Sequence, residues 1–223
     1  MHGTHNAHKT KSAPETTGAV IRWTTPHDIL VRSMGFGVNG ANSRMIVEMA
    51  KIKSGDKVLD VGCGTGDLTL TAMNYAGVSG SAHGIDASPE GIDLARIKAK
   101  RIGSETIFEV GLIEKIPYPD ATFDVVISRL VIHHLPDDLK RQGIAEIFRV
   151  LKPGGLVLLA DFKPPTTPLL AHMILLLVGH KTMMQSDLEE ILPMLKKAGF
   201  VDVAFGKTRS ALLAFVSGKR PEN

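Results

Sequence analysis

One cysteine, Cys63, is all the sulfhydryl chemistry that 223 residues carry. An intrachain disulfide is excluded, and the chain suits a reducing, cytoplasmic setting. Charge of one sign is equally scarce. The net charge is +3, too small to make a nucleic-acid surface by charge alone. Long apolar runs are missing too. The longest, Leu169 to Val178, is broken by His172 and is too short to span a bilayer. Nothing near the N-terminus has the apolar core of a signal peptide. No internal repeat is evident. What remains is an ordinary globular composition, 43% hydrophobic and 22% charged, at a length that favours one well-buried domain.

Residues 1–20 are polar and read as a flexible tail. Its His2, His5 and His8 are spaced loosely enough to be incidental, so no metal is expected. Residues 21–223 read as the single domain. Met45, Ile46, Met49 and Ala50 recur at helical spacing. A strand follows at Lys57 to Val61, and a helix from Asp67 to about Ala76. Ser81 to Asp86 reads as a strand. Ser88-Pro89 then opens a helix, with Ser as cap and Pro in the first turn. Strands follow at Thr106 to Val110 and Phe123 to Ser128. A helix over Asp138 to Leu151 should stop at Lys152-Pro153-Gly154-Gly155, ahead of a strand at Leu156 to Phe162. Ser186 and Glu189 form a capping-box pattern for a helix to Ala198. Two strands, Val201 to Phe205 and Ala211 to Ser217, close the chain. Strands alternating with helices predict an α/β fold. The expected architecture is a Rossmann-like, seven-stranded, mostly parallel sheet with one antiparallel edge strand and helices on both faces. Ligands in such sheets sit at the carboxyl ends of the strands.

The most telling run is Val58-Leu59-Asp60-Val61-Gly62-Cys63-Gly64-Thr65-Gly66. A buried strand ends in a loop with glycine at every second position. A dinucleotide fingerprint is G-x-G-x-x-G with the diphosphate at the helix N-terminus. Here the spacing is G-x-G-x-G, and Asp67 follows directly. That acid should repel a diphosphate and tolerate an ammonium or sulfonium. With the later motifs in order, the stretch from Gly40 to Gly206 resembles the class I S-adenosylmethionine-dependent methyltransferases. Within them it is most similar to the quinone and sterol C-methyltransferase branch, a methyltransferase type 11 domain.

The resemblance implies S-adenosyl-L-methionine as cofactor and S-adenosyl-L-homocysteine as product. It places the methionine part of the cofactor on the loop of Asp60, Gly62, Cys63, Gly64 and Gly66, with Asp60 and Asp67 favouring the cationic end. Cys63 itself is read as a small residue fitting a tight turn. Asp86, in G-I-D-A-S, can accept hydrogen bonds from two ribose hydroxyls, and Ala87 would flank the adenine. The acid that often accepts the adenine amine is replaced by Leu112. The Ile113 backbone can still meet the ring, Leu112 can pack on it, and the amine is left to water or Glu114. Ser128 and Arg129 would lie near the methionyl end. Arg129 is open to a cofactor carboxylate, an anionic substrate or the surface.

Methyl transfer from a sulfonium chiefly needs alignment, and a base only where the acceptor must lose a proton. His133 and His134, in V-I-H-H-L-P, follow the fourth strand. His133 is the favoured base and His134 the weaker candidate, read as packed against backbone. Acceptor contacts are expected from two cap segments. Residues 21–40 supply Trp23, His27, Arg32 and Phe36, and residues 163–185 supply His172. The apolar stretch in the second segment suits a greasy acceptor, transient contact with a membrane surface, or simple packing on the core. The expected acceptor is a small apolar or aromatic molecule methylated on carbon or oxygen. Rival readings are a protein or nucleic-acid methyltransferase, a non-catalytic S-adenosylmethionine-binding protein and a dinucleotide oxidoreductase. S-R-L-V stands at 128–131 where amino-group methyltransferases carry an N-P-P-Y type signature. No nucleic-acid partner is expected, and monomer and homodimer both stay open.

Overall fold

The computed structural model describes residues 13–18, 40–163, 188–209 and 213–222. In chain order the elements are α1 (Gly40–Met49), β1 (Lys57–Val61), α2 (Asp67–Ala76), β2 (Ser81–Asp86), α3 (Pro89–Arg101), β3 (Ile107–Val110) and β4 (Phe123–Arg129). A 3-10 turn (Ile132–His134), α4 (Asp137–Val150) and β5 (Leu151–Phe162) follow. A second 3-10 turn (Leu188–Glu190), α5 (Ile191–Ala198), β6 (Val201–Lys207) and β7 (Leu213–Lys219) complete the set.

The strands form one sheet in the order β3-β2-β1-β4-β5-β7-β6. Neighbours from β3 to β5 are parallel. β7 runs antiparallel to both β5 and β6. The seven strands and the single reversal match the expectation. The reversed strand, however, lies one place in from the edge, and β6 forms the edge. Burial explains the order: Leu213, Ala214 and Val216 are buried, whereas no residue of β6 is buried. The more apolar strand takes the site covered on both faces.

Side chains alternate across the sheet with period two. Val58, Val125, Ile127, Leu158 and Ala160 meet α1 and α2 through Ile46, Val47, Leu68 and Ala72. Leu59, Val61, Val126, Val157 and Leu159 meet α4 and α5 through Ile144, Ile147, Ile191 and Leu195. Each such aliphatic side chain contributes roughly 1.5–3 kcal/mol on burial. Asp60 shares the parity of Val58 and Arg129 that of Ile127, which puts both on the α1/α2 side. Asp161 has the parity of Leu159 and belongs to the other side.

Local signals set most helix ends. The Ser88 hydroxyl accepts from Gly91 N at 3.2 Å, with Pro89 in the first turn of α3. Two boundaries differ from expectation. α4 passes straight into β5, because Leu151 already pairs with Phe123 and the register shifts before Val125 pairs with Leu156. The Lys152–Gly155 breaker is thereby absorbed as an irregularity at the start of β5, with Gly154 at φ +78°. Glu189 lies in the second 3-10 turn, α5 starts only at Ile191, and Ser186 falls outside the described residues. Among the described residues no helix is long and apolar enough to cross a membrane.

Candidate active site

β1 leads into a loop whose three glycines, Gly62, Gly64 and Gly66, have φ of +74°, +53° and +82°. Residues with a β-carbon are strained there. The loop is tied to the end of β2, since Gly62 N and Cys63 N donate to Ile85 O at 2.8 and 2.9 Å. A β-carbon on Gly66 would come within 2.7 Å of Phe108. Asp86 fastens the same loop from the side. Its Oδ2 accepts from Gly64 N and its Oδ1 from Ser88 N, each at 2.8 Å. Ala87 is half-buried between Asp86 and the buried Ser88.

Cys63 turns away from this cradle. Its side chain packs with Ile92, Ala95, Ala99 and Phe108, and burial pushes its thiol up. Asp67 is also not the free acid expected at the loop. Lys98 Nζ, from α3, donates to both its oxygens at 2.8 and 3.0 Å and to Thr65 Oγ1 at 2.9 Å. The pairing cancels most of the field at the start of α2, so repulsion of a diphosphate by Asp67 is weaker than expected.

Asp60 is the buried acid. It is 1% exposed, and its Oδ2 accepts from Thr69 Oγ1 at 2.6 Å. Its Oδ1 has no hydrogen-bond partner among the described residues. Burial pushes its carboxyl up to about 7, against the Thr69 hydrogen bond and the charge of Arg129. Arg129 is half-buried at the end of β4. Its Nη1 donates to Ser43 Oγ of α1 at 3.0 Å, and burial works against its charge while Asp60 and Asp67 support it. Ser128 staples β4 to β1 by donating Oγ–H to Val61 O at 2.7 Å.

The segment after β3 forms the third wall. Gly111 N donates to Asp86 O at 3.0 Å, and Leu112 and Lys115 bridge a turn. Leu112 is half-buried. The Ile113 side chain points inward against Gly143 of α4, where a β-carbon would meet it at 2.5 Å. α4 clamps the rest of the segment: Glu146 accepts from Ile116 N at 2.9 Å, and Arg149 donates to Ile116 O and Tyr118 O at 3.0 and 2.8 Å. Glu114 Oε1 accepts from Thr16 Oγ1 at 2.6 Å, so an adenine amine would compete with Thr16 for it.

Beyond β4 the backbone bends sharply, with Leu130 at φ +60°, and enters the 3-10 turn holding both histidines. The His133 ring is 2% exposed, whereas His134 is half-buried, its ring tilted by 43° against that of His133 with centroids 3.8 Å apart. His133 meets a residue absent from the sequence-based set, Asp161 near the end of β5, which is 0% exposed. Asp161 accepts from His133 N at 3.0 Å, from Phe162 N at 2.6 Å, and holds His133 Nδ1 at 2.6 Å. With two backbone donors already on the carboxylate, the network assigns the ring proton to Nδ1 and leaves Nε2 as acceptor. Only an acid at the close of a buried strand, in A-D-F, could have flagged Asp161.

The structure thus brings Asp60, Gly62, Gly64, Gly66, Asp86, Ala87, Leu112, Ile113, Ser128 and Arg129 to the carboxyl ends of β1 to β4. Trp23, His27, Arg32, Phe36 and His172 lie outside the described residues, as do most of the two cap segments. A cradle that a β-carbon would fill, a buried carboxylate oxygen lacking a partner, and Asp86 at the end of β2 fit a cationic nucleoside such as S-adenosylmethionine.

Comparison with known proteins agrees. Residues 52–205 match a family model described as a methyltransferase domain. The chain is 35% identical over 144 residues to a ubiquinone/menaquinone biosynthesis C-methyltransferase, UbiE, of Geobacter sp. (strain M21). That match covers 64% of this chain but 60% of the relative. It is 26% identical to the protein of the same name from Pseudomonas paraeruginosa (strain DSM 24068 / PA7), over 98% of this chain and 94% of the other. A crystal structure of a SAM-dependent methyltransferase from Aquifex aeolicus superposes with a TM-score of 0.67, at 22% identity, over 86% of this chain and 97% of that one. At that identity the likeness speaks for the fold alone.

Proposed function

Because this chain belongs to the methyltransferase-domain family, we propose that it transfers a methyl group from S-adenosylmethionine to a ring carbon of a small hydroxylated aromatic of the quinol type. The observation that carries the reading is the hydrogen bond from Gly64 N to Asp86 Oδ2 at 2.8 Å. It couples a loop shaped by three left-handed glycines to the acid that this reading assigns to the ribose. The quinol class is supported by the names of the relatives, ubiquinone/menaquinone biosynthesis C-methyltransferases. It is supported also by the apolar stretch at Leu169 to Val178.

In this reading Gly62, Gly64 and Gly66 let the backbone approach the methionine portion. Asp60 and Arg129 serve its ammonium and carboxylate, and Asp86 the ribose hydroxyls. Leu112 and Ile113 border the adenine. When bound, the cofactor supplies a methyl group on a sulfonium. The protein's task is alignment, which can contribute about 7–11 kcal/mol, and removal of one acceptor proton. His133 Nε2 takes the acceptor hydroxyl proton, which makes the neighbouring ring carbon more nucleophilic; once that carbon carries the methyl it loses its own C–H proton to solvent and the hydroxyl recovers the proton held by His133. Asp161 holds the Nδ1–H and stabilises the imidazolium that results.

Labelled methyl transfer to separate pools of quinols, phenols, amines, fatty acids and sterols tests the assignment. The expected result is one added methyl on carbon in the quinol pool. Label in an amine or a protein fraction would redirect the acceptor. Tight S-adenosylhomocysteine binding with no transfer to any pool would favour a binding protein.

A further inference from the structure

Asp60 presents a problem that the ligand-free protein has to solve. Its carboxyl is 1% exposed and its Oδ1 lacks a hydrogen-bond partner among the described residues. An ionised carboxylate buried in that way is strongly disfavoured. The groups around it come from every neighbouring element. β2 supplies Asp86, β4 Arg129, the start of α2 Asp67 and Thr69, and the loop Cys63. α1 supplies Ser43, which takes a hydrogen bond from Arg129, and α3 supplies Lys98, bound to Asp67. Asp86 and Asp67 are two negative charges, and Arg129 and Lys98 two positive ones. The cluster is therefore balanced when Asp60 is neutral, and is one charge negative when Asp60 ionises.

We propose that Asp60 carries a proton in the ligand-free protein and releases it to solvent when a cationic cofactor occupies the glycine loop. The O–H bond of Asp60 breaks, the proton passes to buffer, and the charge of the ligand takes its place, so the cluster stays balanced. This rests on the cofactor reading above and adds to it a linkage between affinity and pH. The elevated position of the Asp60 carboxyl, about 7, puts the exchange in the physiological range. A loop of this kind discriminates by charge: a neutral or anionic nucleoside gains nothing from the ionisation, whereas a cationic one offsets it.

Isothermal titration of S-adenosylmethionine into the full chain, in two buffers of different ionisation enthalpy, reads the proton directly. About half a proton should be released at the Asp60 midpoint near pH 7, about 0.9 one pH unit below it, and almost none two units above. Affinity should rise about tenfold per pH unit on the acid side and level off above the midpoint. Asp60→Asn should bind with heats independent of buffer. Thr69→Val, which removes the hydrogen bond holding the carboxylate, should carry proton release to higher pH. Binding with no buffer dependence in the wild type overturns the proton exchange and leaves the cofactor reading intact. Unchanged release from Asp60→Asn overturns it by exposing another donor. Absence of binding at every pH overturns both.

Discussion

Gly62 and Val131 are interlocked: a β-carbon on Gly62 would lie 2.2 Å from Val131 Cγ2. The glycine loop after β1 and the bend after β4 therefore define one another's position, and the cofactor side of the site is built against the acceptor side. Gly62 is also left-handed, at φ +74°. Gly62→Ala is expected to cost about 1–2 kcal/mol in backbone strain, with a further roughly 1–3 kcal/mol from the clash. Urea unfolding of Gly62→Ala and of Gly62→Ala/Val131→Ala separates the two. The double variant should recover the clash and keep the strain. Equal stability of the single variant and the wild type would show that the interlock does not exist.

Asp86 has two tasks, and removing it should show both. Asp86→Ala takes away acceptors for Gly64 N and Ser88 N as well as for the ribose. Charge-assisted hydrogen bonds are worth about 1.5–3 kcal/mol each. S-adenosylhomocysteine should bind about tenfold to several hundredfold more weakly, and the ligand-free melting temperature should fall as well. An unchanged Kd would remove Asp86 from the site.

Asp60 makes the stability of the ligand-free protein depend on pH in an unusual direction for a carboxylate. The folded protein raises it from 3.8 to about 7, so folded molecules keep a proton that unfolded ones have lost. Its stabilising effect is complete below about 3.8, declines as pH rises through the interval, and is gone above about 7. Roughly three pH units correspond to about 4 kcal/mol. Asp60→Asn should therefore be more stable than the wild type above pH 7, with the advantage shrinking toward acid, while binding the cofactor less well. Denaturant midpoints at several pH values, without ligand, check this. Parallel curves for the two proteins would contradict it.

His133 and Asp161 should act as one unit. Either His133→Ala or Asp161→Asn is expected to lower kcat by about 10²–10⁴-fold with little change in KM. The double variant should be no worse than His133→Ala, because Asp161 works only through the ring it orients. Additive losses in steady-state assays would mean that Asp161 merely supports the fold.

Much of this was legible because it is local. Ser88-Pro89 announces α3, the alternating glycines announce the loop, and the apolar strands announce a sheet covered on both faces. What escaped depends on pairs distant in the chain. Lys98 lies 31 residues from Asp67, and Asp161 28 residues from His133. No spacing rule couples such positions before the strands are ordered. The order of β6 and β7 escaped for a related reason. Both read as strands, and only the pairing with β5 shows which one is interior. The unbroken apolar run Leu212 to Val216, against Val201 to Phe205 with Asp202 inside it, carries that information.

β7 emerges from the ribosome after β6 yet takes its place between β5 and β6. Until Leu213–Lys219 has been synthesised, the hydrogen-bonding edge of β5 at Leu156–Phe162 has no strand to meet, and β6 has nothing to join. An unpaired β5 edge of this kind is a template for strand capture, and β7 is what covers it. Asp161 lies on that same edge, paired with Ala214. β7 is thus also the strand that holds the backbone carrying Asp161, the partner of His133.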